Sequence, residues 1–163
     1  TIPGNSGDNF TGVEVGGFEA SSTHYLVAVS SADLQKGDID YKSIKNIVVL
    51  SQEINSEETY MTVTGNNTVF AHRVTNYAED GEKSASTPYL VPIGNDQFAL
   101  LWEEKQSSTV SYNKVKIAVL NKVGIVSSRI KTIEGNLSNC QPICADGKLV
   151  WYYTKGFILC RKM

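Results

Sequence analysis

Few groups in this chain have types and spacing suited to chemistry. Glu103 and Glu104, directly after Trp102, are the carboxylate pair that acid–base work on a glycosidic bond would need. Neighbours on an extended strand point to opposite faces, so these two cannot flank one bond. His24 and His72 lie far apart in the sequence, and no G-x-S-x-G nucleophile turn accompanies them, which leaves a hydrolytic triad unsupported. Gly12, Gly16 and Gly17 do not make the G-x-G-x-x-G turn that cradles a dinucleotide. Asp38 with Asp40, or Glu79, Asp80 and Glu82, could gather oxygens round calcium, yet neither group keeps an EF-hand register and both read as solvated loops. Cys140, Cys144 and Cys160 are three, so one thiol stays unpaired within the chain, and no C-x-x-C pair or fourth ligand supports a metal. Cys140 and Cys144, if extended, stand roughly 13 Å apart, too far for a disulfide; pairing either with Cys160 is sterically easier, and buried inert thiols are the favoured reading. No catalytic set, cofactor or metal is expected, and the chain reads as a non-enzyme.

Aromatic side chains are better candidates for contact with a ligand, because their rigid faces stack on sugars or peptides. Tyr77, Tyr89, Tyr112 and Tyr152 are the residues expected at the surface as ligand contacts. Trp102 and Trp151 recur at matching places and are expected in the core. Asp96 and Asp146 lead turns just before apolar strands, where an aspartate caps its own backbone amides.

The elements that must position these groups are written in composition. Val, Ile, Thr, Tyr, Phe and Trp fill 55 of 163 positions, which favours a pleated, half-buried surface over a helix. No stretch keeps an i, i+3, i+4, i+7 apolar stripe, whereas short apolar runs bounded by Gly, Asn, Asp or Ser are frequent. All-β architecture follows, with strands expected at 13–20, 25–30, 45–51, 59–64, 68–77, 89–93, 97–103, 114–120, 125–133, 141–144, 149–153 and 157–160. Gly94-Asn95-Asp96, Asn121-Lys122-Val123-Gly124 and Ala145-Asp146-Gly147 supply residues that tolerate positive φ and should close antiparallel hairpins. Val115, Ile117 and Val119 share one face of their strand, while Phe98-Ala99-Leu100-Leu101-Trp102 is apolar on both faces and should be central. A net charge of −2 offers no basic stripe for nucleic acid, and no apolar run approaches the ~18 residues that span a bilayer.

A repeat emerges on self-comparison. Pro92-Ile93…Asp96…Trp102 aligns with Pro142-Ile143…Asp146…Trp151 at an offset of about 50 residues, and Tyr25-Leu26-Val27-Ala28-Val29 parallels Phe98–Trp102. One all-β region over 1–163 is therefore expected, with units at about 10–80, 84–135 and a partial 136–163. Four short antiparallel strands per unit is the size of a β-propeller blade, and closure needs ~4–8 blades, so further blades of a longer chain or self-association must complete it. The alternative is a two-sheet β-sandwich.

The segments Thr75-Asn76-Tyr77-Ala78-Glu79-Asp80-Gly81, Ser86-Thr87-Pro88-Tyr89-Leu90-Val91, Phe98-Ala99-Leu100-Leu101-Trp102-Glu103-Glu104 and Leu137-Ser138-Asn139-Cys140-Gln141-Pro142-Ile143 resemble a repeat of large bacterial cell-surface or secreted proteins. Gly147-Lys148-Leu149-Val150-Trp151-Tyr152 and Thr11–Glu19 extend the likeness over most of the chain. The resemblance implies extracellular or cell-surface display in a modular, propeller-like region and carries no assigned activity. The expected function is a non-catalytic module that binds carbohydrate or protein, or spaces other domains. The alternative is part of a multi-blade glycoside hydrolase or lyase whose acidic site lies mostly outside this fragment.

Overall fold

Residue types that crowd a helix but suit a pleat are frequent, and every element among the described residues is a β-strand. In the computed structural model these residues are 13–32, 44–54, 69–77, 83–106, 114–153 and 156–161, with side chains described for all but 32, 106 and 156–161. The expected strand at 59–64 lies outside them.

β1 (Val13–Ala20), β2 (His24–Ala32), β3 (Lys45–Glu53) and β4 (Phe70–Arg73) pair in chain order as an antiparallel first sheet. The central sheet holds β5 (Lys83–Ala85), β6 (Tyr89–Gly94), β7 (Gln97–Gln106), β8 (Lys114–Leu120) and β9 (Lys131–Glu134). β5 and β6 lie end to end along one edge of β7. They are separate because Pro88 has no N–H to donate, and around the break Ser86 keeps the ladder going: its N–H donates to the Glu103 carbonyl at 3.0 Å while its Oγ accepts the Glu103 N–H at 2.9 Å. The third sheet is β10 (Ile143–Ala145), β11 (Lys148–Tyr153) and β12 (Gly156–Arg161).

Hairpin turns form where the glycines and acidic residues demand them. Gly94, Asn95 and Asp96 all have positive φ, as do Asp146 and Gly147. The turn at 121–124 also closes, with Asn121 Oδ1 accepting the N–H groups of Val123 and Ile125. The strand expected at 125–133 nevertheless starts only at Lys131. Ser127 and Ser128 explain the delay, since the Ser128 hydroxyl accepts the Val119 N–H at 3.0 Å and takes the place of a backbone partner.

Strand alternation then sorts the core into two layers. Phe98, Leu100 and Trp102 of β7 pack with Leu26, Ala28, Ile47 and Val49 of the first sheet. Ala99 and Leu101 face the other way and pack with Leu149 and Trp151 of the third. The central sheet is thus buried on both faces, and the described strands make three stacked sheets where the sandwich alternative has two. At Gly16 and Gly17 the first sheet meets the central one backbone to backbone: a Cβ on Gly16 would sit 1.8 Å from the Pro88 carbonyl oxygen. A β-bulge between Val15 and Gly17 turns that edge toward β6.

Candidate functional site

Register places the most chemically equipped cleft. Trp102 of β7 stands opposite Lys116 of β8, and Lys116 opposite Thr132 of β9, so the three form a row across one face of the central sheet. Glu104 lies two residues beyond Trp102 and shares that face. Tyr77 reaches the row from the segment that leaves β4. That segment is fastened to β3: the Val74 N–H donates to the Ile47 carbonyl, Thr75 Oγ1 accepts the Ile47 N–H, and Asn46 Oδ1 accepts from both the Thr75 hydroxyl and the Tyr77 N–H. The resulting cleft holds about 460 Å³, with Val74, Asn76 and Ile130 completing its walls.

At its floor the Tyr77 hydroxyl accepts the Trp102 indole N–H at 3.0 Å and donates to Glu104 Oε2 at 3.0 Å. Lys116 Nζ lies 3.4 Å from the same Glu104 oxygen and donates to Thr132 Oγ1 at 2.9 Å. Burial pushes the Tyr77 phenol well above its ordinary range, with the adjacent Glu104 charge adding to the effect, so the phenol stays protonated and serves as a donor. The floor is therefore a charge-balanced set of donors and acceptors rather than a free base or nucleophile.

The structure separates the four tyrosines expected as contacts. Tyr77 is only 8% exposed, because its hydroxyl is drawn inward by Trp102 and Glu104; surface exposure is the wrong expectation for it, although it lines the cleft. Tyr89 is half-buried at the junction of the central and third sheets and donates to the Ser138 carbonyl at 2.7 Å. Tyr152 is exposed on the third sheet's far face. Tyr112 lies outside the described residues. Both tryptophans are buried, as expected. Lys116 and Thr132 escape sequence reading, since only strand register reveals that they share a face with Trp102; the i, i+2 spacing of Trp102 and Glu104 was the available signal.

Glu103, on the opposite face, accepts the Leu137 N–H at 2.7 Å, so the adjacent carboxylates do serve different junctions. Burial raises its carboxyl above the ordinary value despite the amide of Leu137 and the Asn136 side chain. Asp96 does not cap its own turn as expected. It accepts from the Ser22 N–H and hydroxyl in the β1–β2 turn, a latch between sheets. Cys140 and Cys144 are free thiols. Cys144 and Cys160 each lie opposite Leu149 on its two flanking strands, about 10 Å apart, so strand spacing forbids the disulfide that sequence reading allowed between them. His24 Nδ1 bonds the Thr23 hydroxyl and His72 stacks on Phe70. Among the described residues no group of three His, Cys, Asp or Glu could hold a metal ion, and no helix is long and apolar enough to cross a membrane. Both acidic loops considered for calcium, 38–40 and 79–82, lie outside those residues. No family model matches the chain, and no curated protein or solved structure matches it.

Proposed function

We propose that this chain is a non-catalytic, extracellular β-propeller-like module of a bacterial surface or secreted protein, and that it binds a neutral carbohydrate in the cleft between its first and central sheets. The observation that carries the reading is the cleft floor. Glu104, Lys116, Tyr77 and Thr132 offer alternating acceptors and donors, the complement of sugar hydroxyls, and their mutual pairing keeps any one group from acting as a nucleophile. Its volume of about 460 Å³ suits one or two sugar rings.

Repetition of one packing device supports the propeller-like part of the reading. Trp102 packs on the sheet before it and donates its indole N–H to Tyr77, in the segment leaving that sheet; Trp151 does likewise, donating to the Asn136 carbonyl at 3.3 Å. A glycosidase would need a second carboxylate facing Glu104 across the substrate, and among the described residues its neighbour Glu103 points to the opposite junction.

A glycan array probed with the intact chain tests the proposal, with Trp102 emission as the solution readout. Retention of neutral glycans without product release is expected, together with its loss in Thr132→Arg, which fills the cleft from an exposed strand. Absence of retention, equal retention by the variant, or released reducing ends would each overturn it.

A further inference from the structure

Among the described residues the central sheet packs a buried cluster on each face, and each outer sheet shares one of those clusters on the face turned toward it. On the first sheet the side away from the central sheet carries Phe18, Tyr25, Val27, Leu50 and Val69, which line an apolar groove of about 300 Å³. Phe18 is 64% exposed and Tyr25 42%, with their rings stacked at 6.0 Å. Val29 and Val48 on the same side are buried, whereas Phe18, Tyr25 and Val69, nearer the β1–β2 turn, stay exposed. At the other extreme of the stack, Ile143 pairs with Val150, and both share with Tyr152 the third sheet's outer side, where Tyr152 is 45% exposed and Ile143 more so.

The joints inside the molecule say what fits these two surfaces. At each joint the second strand of the later sheet presents alternate apolar residues to the earlier sheet: Phe98, Leu100 and Trp102 on the first sheet, Leu149 and Trp151 on the central one. Tyr25 and Val27 occupy the same alternate positions on the second strand of the first sheet, and they face away from the central sheet. The first sheet is thus equipped as the later partner of a joint, and the third sheet's outer side is placed as the earlier partner. We propose that copies of this chain associate head to tail, the Phe18–Tyr25 face of one copy seating on the Ile143–Tyr152 face of the next. Such a contact is heterologous, joining two different patches, and it buries exposed aromatic surface at both.

The inference rests on the repeated packing used above, but not on the carbohydrate cleft, so the two can fail separately. Sedimentation equilibrium of the full chain should give masses at multiples of 17.8 kDa that rise with concentration. Phe18→Glu and Tyr152→Glu, each at an exposed position, should be folded monomers by circular dichroism, and each should retain the glycan binding of the parent. Mixed in equal amounts, the two should recover a dimer, because one supplies an intact first-sheet face and the other an intact third-sheet face. A monomeric wild-type chain at every concentration overturns the proposal, as does association that Tyr152→Glu leaves untouched or a mixture that stays monomeric.

Discussion

Replacing Tyr77 by phenylalanine removes one oxygen and leaves two groups short of a partner. The Trp102 indole is almost wholly buried, so its N–H has no water to turn to, and an unsatisfied buried donor costs about 1–3 kcal/mol. Glu104 loses the phenol as a donor; a hydrogen bond to a charged group is worth roughly 1.5–3 kcal/mol, and the low end applies because Lys116 remains beside the carboxylate. Together these give a destabilisation of about 3 kcal/mol, a large share of the ~5–15 kcal/mol that holds a typical domain. With a urea slope of ~2 kcal/mol per molar, the midpoint should fall by about 1.5 M at unchanged slope. Tyr89→Phe is the comparison: its hydroxyl makes a single bond to the Ser138 carbonyl at a half-buried place, worth about 1 kcal/mol. Both are read by tryptophan fluorescence and circular dichroism during urea titration, and adding Glu104→Gln to each measures the coupling. If Tyr77→Phe shifts the midpoint no further than Tyr89→Phe, or shows no coupling to Glu104→Gln, the floor network does not hold the first and central sheets together.

Two further perturbations bear on the junctions. The folded state raises the Glu103 carboxyl above its ordinary 4.5, so the wild-type chain loses stability as pH rises from that value through the folded one. Glu103→Gln keeps an acceptor for the Leu137 N–H and carries no charge; its melting temperature should match the parent in acid and exceed it at neutral pH, and parallel melting curves across pH would contradict the burial argument. Gly16→Ala places a methyl 1.8 Å from the Pro88 carbonyl oxygen, a backbone atom that cannot swing aside. A loss of more than ~3 kcal/mol is expected, seen as a sharp drop in melting temperature or in soluble yield, whereas an unchanged melt would refute the close approach of β1 and β6.

Much of the fold was legible because strand chemistry is local. The runs at 13–20 and 114–120 match β1 and β8 end for end, and the positive-φ turns at 94–96 and 146–147 fall where glycine, asparagine and aspartate offered them. Apolar residues on both faces of 98–102 correctly marked a strand with protein on either side. β5 was missed because Lys83-Ser84-Ala85 carries no apolar signal; its pairing comes from β7, which runs on past Glu103. The cleft was legible only in part. Tyr77 and Glu104 were visible as residues, but their meeting depends on how Asn46, 31 positions before Tyr77, tethers the segment after β4. Asp96 likewise reached Ser22, 74 positions away, rather than its own turn, and nothing local announces a partner at that separation.

The tethers also bear on how the chain is made. A ribosome releases it amino end first, so the first sheet and the segment carrying Tyr77 emerge ahead of Trp102, and the segment carrying Asn136 emerges ahead of Trp151. Each indole therefore arrives after its acceptor, at a surface already synthesised. Among the described residues each buried cluster joins layers adjacent in sequence, so the apolar faces they share are covered by the next layer to be made. Growth by accretion of this kind keeps little greasy surface uncovered at any moment of synthesis.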